Sequence, residues 1–184
     1  MKIKYMPHID GLRSIAVLSV ILYHAGFDLF SGGFVGVDVF FVLSGFLISS
    51  IILTEIESGD FSFLEFYSRR AKRILPALYF MFFLALVSSL YFLPPHLLKD
   101  FGQSLFSAAL FISNIFFYVE TDYFNDFSQT SPLLHTWSLS VEEQFYLIIP
   151  LILVFLLRYS RAILLPTLLI LCLLSFCLSL FVTH

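Results

Sequence analysis

The sequence predicts an all-α fold, a polytopic transmembrane bundle of about five or six hydrophobic helices. Of its 184 residues, 59% are hydrophobic and only 12% are charged, whereas soluble domains carry about 25% charged residues. So few polar side chains could not cover a water-exposed surface of ordinary size. Apolar runs of about 20 residues, the length that crosses a bilayer as a helix, recur along the chain. The net charge of −3 gives no indication of nucleic-acid binding, and the lipid bilayer is the expected surrounding.

Six apolar segments account for the predicted helices. They cover residues 11–29, 34–53, 74–93, 104–119, 139–157 and 162–182. The segment 104–119 is short and contains Asn114, so it is predicted as a short or re-entrant helix, with a full span as the alternative. Residues 120–136 are polar and rich in turn-forming residues, which predicts an external loop. No linker composition divides the chain, so residues 1–184 are predicted to form one domain.

Basic residues predict the orientation of these segments. The first half of the chain carries Lys2, Lys4, Arg13, Arg69, Arg70, Lys72 and Arg73. By the positive-inside rule, the N-terminus and the loop 54–73 face the cytoplasm and the loop 28–33 faces outward. A re-entrant fourth segment would place Arg158 and Arg161 in the cytoplasm, whereas a spanning one would place them outside. We expect a multi-pass protein of the inner (plasma) membrane. The N-terminus also resembles a signal peptide, but no A-x-A cleavage pattern follows it.

Ionisable side chains inside the apolar segments indicate a functional site, because each is costly to insert in a bilayer. Arg13 and His24 are eleven residues apart, which places both on one helix face about 16 Å apart along the axis. Asp38, Glu142 and Glu143 are expected at a similar depth to His24, in the outer half of the bundle. An imidazole among carboxylates can act as a general base or a proton relay. A structural network of ion pairs is an equally open alternative.

A second basic cluster, SRRAKRILP, covers residues 68–76. If this segment is helical, Arg69, Arg70 and Arg73 can face one way, since they lie three and four positions apart. Three guanidinium groups so arranged can bind phosphates in bidentate fashion. The alternative is an anchor that contacts lipid headgroups and fixes the topology. Pro76 could begin the third span or kink it.

Four glycines lie in one stretch, at Gly32, Gly33, Gly36 and Gly45, where they would allow helices to approach closely. The sequence contains no G-x-S-x-G, P-loop or H-E-x-x-H motif, and its histidines lack ligand spacing, so no metal site is predicted. Cys172 and Cys177 lie in an apolar run and are predicted to be small hydrophobic residues of a span.

Four blocks of the sequence together resemble the membrane-bound acyltransferase-3 family, in particular its subgroup that modifies bacterial surface glycans. The blocks are YMPHIDGLRSIAVLSVILYHAGF, GGFVGVDVFFVLSGFLIS, FYSRRAKRILPAL and SPLLHTWSLSVEEQFYLIIP. The resemblance extends from Tyr5 to about residue 157. Members of the family have more spans than this chain, often followed by an outward-facing SGNH-type domain. The resemblance therefore implies the N-terminal half of a larger bundle, incomplete at its C-terminus.

Family members move an acyl group, usually acetyl, from cytoplasmic acyl-CoA to a hydroxyl of a surface polysaccharide, lipopolysaccharide or peptidoglycan. The resemblance implies acyl-CoA as donor substrate and no permanently bound cofactor. The residues that it implies for binding the phosphates of coenzyme A are Arg13, Arg69, Arg70 and Arg73. His24 would accept the proton of the acceptor hydroxyl or carry the acyl group, and Glu142 or Asp38 would orient it. A non-catalytic transporter or export partner and an inactive truncated fragment are the alternatives.

Overall fold

The computed structural model describes residues 6–123 and 131–182. Every long element in these ranges is an α-helix, which confirms the all-α fold. We number the helices α1 (Pro7–His24), α2 (Gly36–Glu57), α3 (Phe63–Phe92), α4 (Pro95–Ala109), α5 (Ser113–Tyr123), α6 (Thr136–Tyr159) and α7 (Leu164–Val182). Lys2, Lys4 and residues 124–130 of the predicted external loop lie outside the described residues.

Four helical segments are long and apolar enough to cross a membrane. They are Gly33–Glu57, Phe63–Phe92, Thr136–Tyr159 and Arg161–Phe181, which correspond to the second, third, fifth and sixth predicted segments. The first predicted segment, 11–29, differs from its helix. α1 spans 18 residues, ends at His24 and includes Asp10 and Arg13, so it is not among these four. Gly26 then turns the chain with a φ of +78°, a conformation that favours glycine.

The fourth predicted segment, 104–119, is not one helix. α4 begins at the Pro94–Pro95 pair, where proline suits the first turn of a helix, and it ends at Ala109. The chain breaks before α5 begins at Ser113. Phe111 lies in this break with a φ of 55°, which is uncommon for a bulky residue. The predicted loop also begins too early, since residues 120–123 still belong to α5.

The basic cluster lies in a helix and not in the predicted loop 54–73. α3 begins at Phe63, eleven residues before the predicted start at residue 74. The apolar pattern does not reveal these first turns, because polar and charged residues interrupt it before Pro76. Pro76 is inside α3, where it neither begins nor ends the helix. Arg70 therefore lies within a continuous helix, and not in a loop at the end of the bundle.

α6 forms the centre of the bundle, packing against α2, α4, α5 and α7. A buried apolar cluster joins α2, α3 and α6 and consists of Ile48, Ile52, Phe66, Tyr146, Ile149 and Leu153. The Tyr67 hydroxyl donates a hydrogen bond to the carbonyl oxygen of Leu147 at 2.8 Å. Phe66, early in α3, packs in the same cluster as Leu153, whereas Leu78, further along α3, packs in a second cluster with Leu139 near the start of α6. The two helices therefore run antiparallel.

The two ends of the bundle can be assigned relative to each other from one ion pair. Arg161, in the connection after α6, lies 2.8 Å from Glu57 at the end of α2. The α2–α3 and α6–α7 connections therefore share one end of the bundle. Because α3 runs away from that end and α6 runs back, residues 93–135 leave from and return to the opposite end. This path agrees with the predicted short or re-entrant fourth segment, while the membrane side of each end remains a prediction.

Two glycines bring α1 against α2 and the turn that precedes it. A Cβ atom on Gly33 would lie 2.2 Å from the Ser19 carbonyl oxygen, and one on Gly36 would lie 2.4 Å from that of Ala16. No side chain fits at either position, so these two glycines confirm the predicted close approach. Gly32, in contrast, has open space around it.

Candidate active site

A first cavity, of about 490 Å³, lies between α3, the break before α5, and α6. Most of its wall is apolar, formed by side chains such as Ile74, Leu75, Ile112 and Leu147. Its polar lining residues are Tyr67, Arg70, Glu143, Gln144 and Tyr146. A cavity of this size, mainly apolar with a few polar groups, is typical of a site for an organic ligand.

Arg70 and Glu143 face this cavity from α3 and α6. The Arg70 Cζ atom lies 5.8 Å from the centroid of the Phe66 ring and 5.9 Å from that of the Tyr146 ring. Arg70 and Glu143 interact electrostatically, yet the Arg70 Nε and the Glu143 Oε1 atoms are buried without a hydrogen bond. Buried polar atoms normally have a partner, so these two atoms are unsatisfied groups in side chains that line the cavity.

A network of amide and hydroxyl groups fixes the wall at the break between α4 and α5. Gln144 Nε2 donates to the Phe111 carbonyl oxygen at 2.8 Å and to Asn114 Oδ1 at 2.9 Å. Asn114 Nδ2 donates back to Gln144 Oε1 at 3.2 Å. One helical turn away along α6, the Ser113 and Ser140 hydroxyls lie 2.7 Å apart in the buried interface. These bonds hold the strained Phe111 backbone in place beside the cavity.

A second cavity, of about 300 Å³, lies between α1, α2 and the start of α6. Its polar lining residues are His135, Ser138 and Glu142. The Tyr146 hydroxyl, from the first cavity, donates a hydrogen bond to Glu142 Oε1. The side chains of Tyr146 and Glu142 therefore stand between the two cavities.

Arg13 and His24 are positioned along the side of α1 that faces this second cavity. The Arg13 Cζ atom lies 4.8 Å from the centroid of the Phe40 ring of α2, and Phe40 lines the cavity. His24, the exposed last residue of α1, has its Nδ1 atom 2.9 Å from the carbonyl oxygen of Val20, another lining residue. Its ring also interacts electrostatically with His135.

Three other predicted site residues lie away from both cavities. Arg69 forms an ion pair with Glu55 at 2.7 Å and a longer one with Glu65 at 3.9 Å. Arg73 and Asp38 are exposed and make no hydrogen bond or ion pair within the described residues. The predicted arginine cluster is thus divided, with Arg70 turned toward the first cavity and Arg69 occupied by carboxylates.

Comparison with known proteins identifies the family. The acyltransferase domain of the acyltransferase-3 family matches residues 6–184. The chain belongs to the acyltransferase-3 family. It is 42% identical over 160 residues to a peptidoglycan O-acetyltransferase, OatA, of Listeria monocytogenes, covering 86% of this chain and 26% of the relative. It is 42% identical over 175 residues to the O-acetyltransferase OatA of Staphylococcus aureus, covering 94% of this chain and 29% of the relative.

The acyltransferase-3 chain therefore spans between a quarter and a third of the length of these relatives. No solved structure matches it. The long apolar helices and the family together identify a multi-pass membrane protein.

Sequence reasoning did not assign a site role to Tyr146, Gln144 or His135 in this acyltransferase-3 chain. Tyr146 follows Glu142 by four residues in the segment VEEQFY, the spacing at which side chains meet on a helix. That spacing could have predicted the Tyr146–Glu142 hydrogen bond. The amide bonds of Gln144 could not be predicted, because they depend on the break at Phe111.

His135, which precedes α6, is expected to contribute to the pH dependence of stability in this acyltransferase-3 chain. Although part of the His135 ring is open at the cavity, the apolar side chains around it lower its pKa below the ordinary 6.5, and the nearby His24 lowers it further. A lowered pKa means that protonation favours the unfolded chain, so stability is fully present above pH 6.5 and declines as the pH falls below it. We therefore expect the thermal midpoint of His135→Gln to rise relative to that of the wild-type protein as the pH falls from 7.5 to 5.5. Parallel pH profiles in the two proteins would contradict this.

Proposed function

We propose that this chain is part of a membrane O-acyltransferase that moves an acetyl group from cytoplasmic acetyl-CoA to a hydroxyl of a cell-surface polysaccharide. The names of the relatives favour peptidoglycan over lipopolysaccharide as the acceptor. The observation that carries the proposal is the pair of cavities that meet at the Tyr146–Glu142 hydrogen bond. Such a pair suits a reaction with two substrates that arrive from opposite sides.

The first cavity is the proposed donor site. Its apolar wall suits the pantetheine arm of acyl-CoA, and Arg70 supplies a positive charge within it. Arg73 is exposed near the α2–α3 end of the bundle and free to bind a phosphate of coenzyme A. Arg69 could bind a phosphate only by giving up its ion pair with Glu55, which the sequence did not indicate. Cytoplasmic donor binding requires this end to be the cytoplasmic one.

The second cavity is the proposed route of the acceptor hydroxyl, with His24 as general base. His24 takes the hydroxyl proton while the hydroxyl oxygen forms a bond to the thioester carbonyl carbon. The carbon–sulfur bond then breaks and coenzyme A leaves as the thiolate. Glu142, which lines this cavity, would balance the positive charge that develops on the imidazole. Asp38 is exposed and outside this cavity, which makes Glu142 the stronger candidate for that role.

The donor site is tested by ligand-dependent stability of the purified chain. Acetyl-CoA at 100 times its Kd stabilises a one-site protein by about 2.7 kcal/mol, which raises the thermal midpoint by about 5–10 °C in a chain of this size. We expect Arg70→Met to lose most of this shift and Arg158→Met, an exposed arginine of the same end, to retain it. A chain that acetyl-CoA does not stabilise would contradict the donor site and favour a transporter.

A further inference from the structure

The break between α4 and α5 has the geometry of a helix C-cap that normally contains glycine. The Phe111 N–H donates to the Ala108 carbonyl oxygen at 3.1 Å. The Ile112 N–H donates to the Ser107 carbonyl oxygen at 2.9 Å. These two bonds form a Schellman motif, in which the residue after the C-cap is left-handed and is usually glycine. Phe111 occupies that position with a φ of 55°, so its backbone conformation is strained.

A side chain of another helix holds this strained conformation from the opposite side. Gln144 of α6 donates a hydrogen bond from Nε2 to the Phe111 carbonyl oxygen at 2.8 Å. Gln144, Phe111 and the neighbours of Phe111 in the chain, Leu110 and Ile112, all line the first cavity. A strained backbone persists only where the surrounding structure holds it, and such positions are concentrated at functional sites. The hydrogen bond from Gln144 therefore acts on a wall of the first cavity.

Gln144 makes a second set of hydrogen bonds, to Asn114 of α5. Gln144 Nε2 donates to Asn114 Oδ1 at 2.9 Å, and Asn114 Nδ2 donates to Gln144 Oε1 at 3.2 Å. Among the described residues, Asn114 does not line the first cavity. The amide pair thus joins α5 to α6, whereas the bond to Phe111 holds the cavity wall, and the two effects can be separated by substitution.

We propose that Gln144 is a positioning residue of the donor site, whose bond to the Phe111 carbonyl oxygen fixes residues 110–112 in the conformation that forms the wall of the first cavity. This inference rests on the proposed function and adds to it a residue that acts through the backbone of Phe111. Without the bond, the break is expected to leave its left-handed conformation for part of the time. The apparent affinity for the donor then falls with the population of the conformation that can bind it.

The test measures the Kd of acetyl-CoA for the purified chain and for two variants that break different bonds. Gln144→Met removes the bond to Phe111 and the amide pair, whereas Asn114→Ala removes the amide pair alone. We expect Gln144→Met to weaken binding roughly tenfold, as it would if about one molecule in ten kept the binding conformation. Asn114→Ala should stay within about twofold of the wild-type Kd, because the break keeps its conformation. A residue that only joined two helices would give the same Kd in both variants.

Amide hydrogen exchange gives a second measurement that needs no ligand. The N–H groups of Phe111 and Ile112 should exchange roughly tenfold faster in Gln144→Met than in the wild-type chain, since they are released when the break changes conformation. Their exchange in Asn114→Ala should match that of the wild-type chain. Equal exchange in Gln144→Met and the wild-type chain would show that Gln144 does not hold the break, and would overturn the inference.

The outcomes of the binding measurement separate this inference from the proposed function. Wild-type affinity in Gln144→Met, or equal weakening in both variants, would overturn the positioning role while the donor site remains. A wild-type chain that does not bind acetyl-CoA would overturn both proposals.

Should Gln144→Met alone not fold, the comparison is made in a Phe111→Gly background. Glycine adopts a positive φ without strain, so the break no longer depends on Gln144. Adding Gln144→Met to Phe111→Gly should then change the Kd of acetyl-CoA by less than about twofold, because the two positions are coupled. A loss of roughly tenfold in this background would show that Gln144 does not act by holding Phe111.

Discussion

His24→Ala is expected to reduce acetyl transfer by about 10²- to 10⁴-fold, the usual contribution of a positioned general base. His24 is exposed at the end of α1, and its only hydrogen bond within the described residues is with the carbonyl oxygen of Val20 in the same helix. The substitution should therefore leave the amount of folded protein unchanged. The measurement is the incorporation of labelled acetyl from acetyl-CoA into surface polysaccharide, using membranes that contain the chain.

His8→Ala is the matched control, because His8 is also exposed on α1 but lies at the opposite end of that helix. It should retain full transfer. Near wild-type incorporation by His24→Ala at normal protein levels would show that His24 is not the base. Wild-type membranes that incorporate no label would instead indicate that the reaction requires more than this chain.

Gly33→Ala and Gly36→Ala are expected to have the largest effects on stability. Each added methyl group would lie within 2.4 Å of a backbone oxygen of α1, and backbone cannot rotate away as a side chain can. Overpacking typically costs about 1–3 kcal/mol, and these contacts belong at or above the upper end of that range. The thermal midpoint should fall by about 6–12 °C in a chain of this size.

Gly32→Ala provides the control for these substitutions, since nothing lies within 4 Å of its added Cβ and its φ of −90° suits any residue. Its midpoint should stay the same or rise slightly, because alanine restricts the unfolded chain more than glycine does. Equal losses in Gly32→Ala and Gly36→Ala would refute the close approach of α1 and α2 as the cause.

The sequence was sufficient to predict the helices that are apolar along their whole length. The segments 34–53, 139–157 and 162–182 correspond closely to helices of the structure, because hydrophobic length alone defines a span. The sequence was insufficient where a helix boundary does not coincide with a change in hydropathy. α3 begins at Phe63 among charged residues, and the break at Phe111 lies within an apolar run, so hydropathy indicates neither boundary.

The same limits apply to the candidate site. The spacing of Arg13 and His24 correctly predicts that both share one side of α1, since that follows from helix geometry alone. The meeting of Arg70 with Glu143 and Tyr146 could not be predicted, because it depends on how far α3 extends before Pro76 and on its antiparallel packing with α6. Their roles in binding and catalysis remain predictions.

The ion pair between Glu57 and Arg161 has a consequence for how the chain is inserted in a membrane. Between these two residues, α3 and α6 are each long enough to cross a membrane, and they run in opposite directions. If both helices cross, the two connections emerge in the same compartment whichever way the chain is inserted. Reversing the insertion would exchange the compartments of both together, and neither could change sides without separating the two charges.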